Sequence, residues 1–338
     1  MSIFKVGLTR DFLTPNGKLV YKDIGLEILE KEPNVEYEFL NENHSPITPD
    51  MIDGYNAIIS LAPLYNAKSF EGINNLYGIC RFGVGYDMVD LEACNKANIL
   101  LTITKGAVDH SVAEATITWM LSLSHRVFEK DKLVRDGKWS DRSNYMGMEL
   151  RGKTLGIIGI GGIGTRLVKM LETFKMKAIL AYDPHVDKSK TKSLGVQLVD
   201  MKTLMENADF VSVNCPLNDE TRNLIGKPEL RLLKRGAYIV NTSRGGIINT
   251  KALIEVLKSN DIAGYATDVF DEEPPSLEDP LFKLKNVVLA PHCIAWTDEL
   301  FEEIGRTVCN QVVQIARGEV PRHVVNNEIL KRTKLKKV

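Results

Sequence analysis

Residues 154–167 read TLGIIGIGGIGTRL, and five of the fourteen positions are glycine. Glycine weakens strands and helices alike. Yet the run opens as an apolar strand and leads into RLVKMLETF, which has helical spacing. A bare backbone is therefore needed between the two. Gly159-Ile160-Gly161-Gly162-Ile163-Gly164 fits GxGxxG. Gly159 permits the tight turn, Gly161 lets a pyrophosphate approach the main chain, and Gly164 lets the helix pack closely on the strand. The phosphates then rest on free N–H groups at the positive end of the helix. GxGxxG alone is a weak signal. Here a strand precedes it, a helix follows it, and Asp183 ends the next strand, in LAYDP, 19 residues after Gly164. An aspartate there accepts hydrogen bonds from the ribose hydroxyls of NAD and repels the 2′-phosphate of NADP. NAD is the expected cofactor.

The chain around this turn has 338 residues, which suggests about two domains. Its formal net charge of −1 supplies no field to recruit nucleic acid or an anionic membrane. The basic tail LKRTKLKKV reads as a short solvated charge run. The first thirty residues show no signal peptide, and no apolar run approaches the ~20 residues of a membrane helix. The five cysteines (Cys80, Cys94, Cys215, Cys293, Cys309) are scattered, without a CxxC pair. That spacing argues against a disulfide framework and against a zinc site, so no metal is expected. A cytoplasmic protein is the expectation.

Strand-like runs alternate with helical stretches along both halves, the pattern of parallel α/β sheets. The first array has strands at 4–9, 35–40, 57–62, 77–82 and 99–103, with helices at 22–32 and 90–98 between them. VAEATITWMLSLSHRVFEK (112–130) reads as one long helix, apolar almost all round and expected to lie buried between units. The second array has strands from Thr154 and at 177–182, 209–213, 236–241, 264–270 and 286–291. A helix at 250–260 is capped by Asn249 or Thr250, and residues 299–318 form a last amphipathic helix.

Dinucleotide chemistry leaves the protein to supply proton transfer and substrate orientation. Three residues stand just after strands of the second array, where parallel sheets place ligands. Arg244, in VNTSRGG, can bind a carboxylate and polarise an adjacent carbonyl. Glu273, in DVFDEEPP, can hold a histidine's tautomer. His292, in LAPHCIAWT, is a proton donor near neutral pH. Each alone reads as an ordinary surface or structural residue. Together they meet the needs of reducing a 2-oxo acid.

These motifs resemble the D-isomer-specific 2-hydroxyacid dehydrogenases over nearly the whole chain. The resemblance implies two doubly wound parallel-sheet domains. A Rossmann-type NAD domain (104–299) is inserted into a flavodoxin-like substrate domain (1–103 plus 300–338), with the cleft between them and a homodimer built mostly on the cofactor domain. It implies that Arg244, Glu273 and His292 are catalytic. It also implies that Asp268 lies near the nicotinamide, that the Val84 and Gly85 amides in RFGVGYDMVD grip the substrate carboxylate, and that Gly162, Ile163, Cys215, Pro216, Thr221 and Thr242 contact the cofactor.

The chain departs from the family in places. Asn214-Cys215-Pro216 replaces a common His-x-Pro. The loop SLAPLYN has Leu61, Ala62 and Pro63 where phosphoglycerate-type enzymes carry an arginine, which argues against a phosphorylated substrate. No regulatory domain is expected after residue 330. Tyr65 and Trp296 are candidate linings of the substrate pocket. Two other readings stay open on the sequence alone. One is a formate- or phosphite-type dehydrogenase; the other is an NAD(H)-sensing binding module of the same fold, as in the C-terminal-binding-protein corepressors.

Overall fold

The structure, a computed structural model, describes residues 3–332 and Leu335, so much of the basic tail lies outside the described residues. The chain divides into two compact units, one running to Val108 and resuming at Trp296, the other spanning Asp109–Ala295.

The first unit is built on β1 (Phe4–Leu8), β2 (Val35–Phe39), β3 (Ala57–Ser60), β4 (Gly78–Arg81) and β5 (Leu100–Thr102), all parallel, in the order β2-β1-β3-β4-β5. This is the flavodoxin-like order. Every residue of β3 is buried, which explains its unbroken apolar run AII in place of an alternating pattern. The C-terminal segment is sewn into the sheet edge by two buried amides. Asn326 accepts from the Leu101 N–H at 2.9 Å and donates to the Ile99 carbonyl at 2.9 Å. Gln311 accepts from the Thr102 hydroxyl at 2.8 Å and donates to the Ile103 carbonyl at 2.9 Å.

The helix expected over 22–32 is a single turn, Glu27–Glu30. Gly25 lies at φ +74°, and a Cβ on it would stand 2.7 Å from the Gly305 carbonyl carbon. The helix Asp298–Ala316 crosses there, and contact between two bare backbones displaces the missing turns.

The second unit carries β6 (Thr154–Ile158), β7 (Ala178–Tyr182), β8 (Gln197–Leu198), β9 (Phe210–Val213), β10 (Tyr238–Asn241), β11 (Gly264–Thr267) and β12 (Val287–Leu289). Their order, β12-β11-β10-β9-β6-β7-β8, is the doubly wound Rossmann arrangement with one added edge strand. All pairings are parallel. The order reverses between β6 and β9, so the open crevice falls at Gly159 and Asn214, which directly follow those strands. Two apolar clusters fill the unit, one around Leu204, Val211, Ile239 and Leu253, the other around Met120, Leu155, Ile157 and Leu167. Strand β8 has two residues and left no readable signal.

The long helix expected over 112–130 is two helices, Asp109–Ser124 and Val127–Arg135. Arg126 breaks it at φ 54°. Chain from beyond the second helix fills the gap: the Met148 N–H donates to the Ser124 carbonyl at 2.8 Å. Arg126 itself sits over the Tyr145 ring, 4.8 Å from its centroid.

The unit limits fall inside the expected 103/104 and 299/300. Residue 104 bonds back into the first unit, its N–H donating to the Gly83 carbonyl at 3.0 Å. Trp296 belongs there too, packing edge-on against Tyr21 at 5.7 Å and Phe301 at 5.2 Å.

Candidate active site

In the second unit, the turn after β6 needs glycine at its first position. Gly159 lies at φ +88°, and a Cβ there would stand 2.7 Å from the Cys215 nitrogen. Gly161 faces open space. The helix Gly162–Met170 begins directly behind it, so its first N–H groups have no intrahelical acceptor. Asp183 follows β7. One carboxylate oxygen accepts from the Ile160 N–H at 2.9 Å and the other from the His185 N–H at 2.9 Å. The carboxylate is thus fastened to the turn itself.

The neighbouring loop is closed by Thr221, whose hydroxyl donates to the Pro216 carbonyl at 2.6 Å. Cys215 is buried, and its carbonyl accepts from the Ser243 hydroxyl. Thr242 shares a 3.2 Å hydroxyl–hydroxyl contact with Thr116. Asp268 is 5% exposed; one oxygen accepts from the Ile294 N–H at 3.2 Å, while the other is buried without a hydrogen-bond partner. Burial pushes its carboxyl above the ordinary range, outweighing the opposing pull of His292. An orphaned acceptor of this kind suits an amide donor from a ligand. The open cradle at Gly161, the fastened Asp183 and the orphaned Asp268 oxygen all fit a nicotinamide dinucleotide.

His292 and Glu273 stand at the far side of the same sheet. His292 Nδ1 lies 2.6 Å from Glu273 Oε2, and Glu273 Oε1 accepts from the Phe270 N–H at 3.0 Å. Burial raises the Glu273 carboxyl. Its hydrogen bond to His292, the charge of that ring, the Phe270 N–H and Arg244 together outweigh burial and hold it below its ordinary value. With Nδ1 committed to the carboxylate, Nε2 is the nitrogen left to exchange a proton. His292 sits at φ 49°, unusual for a non-glycine residue. Its N–H is held by the Asp268 carbonyl at 2.8 Å.

Arg244 is set by its neighbours. Asn241, fully buried at the end of β10, donates to the Arg244 carbonyl at 2.8 Å and accepts from the Ser243 N–H at 3.0 Å. The next residue, Gly245, lies so close to the Phe270–Asp271 backbone that a Cβ would stand 2.1 Å from the Phe270 carbonyl carbon. That approach brings the arginine loop against the loop carrying Glu273. Neither Asn241 nor Gly245 was singled out from the sequence; the glycine after Arg244 was the one available cue.

In the first unit, the turn bearing Val84 and Gly85 is held from behind. Arg81 donates through Nε to the Gly85 carbonyl at 2.9 Å and through Nη1 to the Phe82 carbonyl. The loop Leu61–Ala62 is tied to Thr9 and Asp11: the Leu61 N–H donates to the Thr9 hydroxyl at 3.1 Å and the Ala62 N–H to the Asp11 carboxylate at 2.8 Å. Burial raises the Asp11 carboxyl, against the pull of Thr9, Ala62 and the Arg81 charge. Trp296 is half exposed. It lies on an aromatic cluster of Tyr21, Phe12, Phe82 and Phe301, which reaches the turn bearing Val84 and Gly85 through Phe82. Tyr65 is different from what the sequence suggested. It is 2% exposed and lies inside the core beside Phe70, its ring stacked there at 6.1 Å. A ring enclosed by core side chains packs the unit and offers no wall to a substrate.

A strand-order switch carrying a dinucleotide turn, with an arginine and a histidine–carboxylate pair on neighbouring strand ends, defines a nicotinamide-dependent oxidoreductase. Residues 117–293 match the D-isomer-specific 2-hydroxyacid dehydrogenase NAD-binding domain. The chain is 38% identical over 281 residues to a glyoxylate reductase of Korarchaeum cryptofilum, covering 82% of this chain and 84% of that one. It is 37% identical over 303 residues to a D-3-phosphoglycerate dehydrogenase of Archaeoglobus fulgidus, covering 89% of this chain but 55% of that relative's length. The crystal structure of a glyoxylate reductase from Paecilomyes thermophila superposes with a TM-score of 0.82 at 26% identity, over 97% of this chain and 100% of that one. The chain belongs to the D-isomer-specific 2-hydroxyacid dehydrogenase family, NAD-dependent oxidoreductases acting on the CH–OH group of donors.

Proposed function

We propose that the chain interconverts a small, unphosphorylated 2-oxo acid and its (R)-2-hydroxy acid with NAD(H). The observation that carries this reading is the 2.6 Å contact between His292 Nδ1 and Glu273. Bound NADH supplies the hydride in reduction. His292 gives the proton from Nε2 to the carbonyl oxygen, and Glu273 keeps Nδ1–H oriented. Arg244 binds the carboxylate and steadies negative charge growing on the carbonyl oxygen. In the first unit, the Val84 and Gly85 amides are candidate donors to a carboxylate, on a turn that Arg81 braces through the Phe82 and Gly85 carbonyls. Hydride on C2 and the proton on its oxygen complete the 2-hydroxy acid.

An unphosphorylated substrate is supported by the loop Leu61–Pro63. It contains no cation, and the ionisable group bound to it is the Asp11 carboxylate. The half-exposed Trp296 supports an apolar side chain on the substrate. Asp183 supports NAD over NADP. The free cysteines fit a reducing compartment, and we assign the protein to the cytoplasm. An exposed apolar stripe in the second unit (Val127, Phe128, Val134, Trp139 and Met146) supports a homodimer formed through that unit.

The test is His292→Ala. Reduction should slow by about 10²–10⁴-fold while the NADH dissociation constant, read by fluorescence, stays within about twofold. Undiminished turnover would remove His292 from the chemistry.

A further inference from the structure

After β4 the chain turns through Phe82-Gly83-Val84-Gly85-Tyr86, at the end of the first sheet where parallel strands place ligands. Among the described residues, no acceptor of the chain takes the N–H of Val84, Gly85 or Tyr86. All three residues are partly exposed. Successive N–H groups left open in a turn suit an anion. Arg81 holds the turn from behind: its Nε donates to the Gly85 carbonyl at 2.9 Å, and its Nη1 donates to the Phe82 carbonyl. Gly83 leaves room for the guanidinium. It lies at φ +137°, and a Cβ on it would stand 3.1 Å from Arg81 Nη1. The Gly85–Tyr86 peptide is trans, so the Gly85 carbonyl and the Tyr86 N–H point opposite ways. With Arg81 on the carbonyl, the Tyr86 N–H faces away from the guanidinium. The Arg81 charge also acts on the Asp11 carboxyl, so the brace works through its two hydrogen bonds and not through an uncompensated charge.

We propose that the Tyr86 main-chain N–H is a further donor to the substrate's carboxylate, and that Arg81 is the positioning residue that holds it open. The inference rests on the proposed 2-oxo acid activity. The carboxylate keeps its charge while hydride adds at C2 and a proton at the carbonyl oxygen. A donor to it therefore contributes equally in the ground and transition states, and losing it raises KM and spares kcat. A hydrogen bond to a charged group corresponds to roughly tenfold in affinity or more. The brace needs two donors in one planar fork. Lysine in place of Arg81 keeps the charge and loses the fork.

The experiment compares the native full chain with Arg81→Lys and Arg81→Gln. The substrate is whichever of glyoxylate, hydroxypyruvate and pyruvate the native protein reduces best, at saturating NADH. Melting temperatures check folding, and Arg81→Lys decides alone if Arg81→Gln does not fold. KM should rise about tenfold in both variants, with kcat and the NADH dissociation constant within about twofold of native. A [15N]tyrosine label reports the donor itself, with Tyr86→Phe assigning its signal. Saturating oxamate, an unreactive 2-oxo acid analogue, should move the Tyr86 amide proton downfield in the native NADH complex. An unmoved Tyr86 amide, or an unchanged KM in the variants, would overturn the proposal. So would a native KM in Arg81→Lys, because charge without the fork would then suffice. A matching fall in kcat or in NADH affinity would also overturn it, since the damage would reach beyond the turn. A native protein that reduces no 2-oxo acid would remove the proposed activity itself, and this inference with it.

Discussion

Glu273 and His292 form a hydrogen-bonded pair at 2.6 Å, and its energetics set a pH signature. The Glu273 carboxyl is held below its ordinary 4.5 in the folded chain. Its ionised form therefore stabilises the fold fully above that value, and the contribution is lost as the pH falls through the lower folded value. The side chain is 35% exposed, so solvent screening limits the contribution to about 0.5–1 kcal/mol. Glu273→Gln should melt below the native protein at about pH 7, with the gap closing as the pH falls below 4.5. Melting curves across that range check it; a gap that is constant with pH would mean that Glu273 acts by shape alone. Arg244, Glu273 and His292 could be picked out of the sequence because each comes after a strand of a parallel sheet, where ligands gather, and the structure brings Glu273 and His292 into contact. Asn241 could not be: it holds the Arg244 carbonyl three residues away, a contact with no periodic signature. Tyr65 shows the converse: an aromatic residue in a loop carries no mark in the sequence of whether its ring turns inward.

At the scale of elements, most strands were readable because a sheet covered on both faces needs continuous apolar runs. The helices were less so. Gly25 and Arg126 each interrupt a helical pattern through a tertiary contact, with the Gly305 backbone in one case and the Tyr145 ring in the other. The interruption at Arg126 has a consequence. It starts a second helix, Val127–Arg135, that leaves Val127, Phe128 and Val134 exposed, and the turn Trp139–Tyr145 adds exposed Trp139. A monomer would present this apolar stripe to water. Phe128→Glu with Trp139→Glu should therefore convert a homodimer, twice the 37.8 kDa chain, into a monomer. Sedimentation of both proteins measures this directly, and a native protein that sediments as a single chain would refute the dimer.

For the whole molecule, the two sheets show how one architecture is put to two uses. The five-stranded order β2-β1-β3-β4-β5 carries the turn braced by Arg81, while the seven-stranded sheet carries the glycine turn, Asp183 and the His292–Glu273 pair. The doubly wound class was legible from alternation alone. The points where the chain passes between units were less so, because Thr104 and Trp296 are assigned by a hydrogen bond and by ring packing that spacing does not reveal. The proposed activity is reduction of an unphosphorylated 2-oxo acid with NADH. Its most direct test is NADH oxidation against glyoxylate, hydroxypyruvate, pyruvate, branched and aromatic 2-oxo acids and one phosphorylated 2-oxo acid, repeated with NADPH, with the chirality of the product determined. The expected result is a preferred unphosphorylated acid, the (R)-2-hydroxy product, and NADH favoured over NADPH. Tight NADH binding without turnover of any 2-oxo acid, or turnover confined to formate or phosphite with NAD, would contradict it.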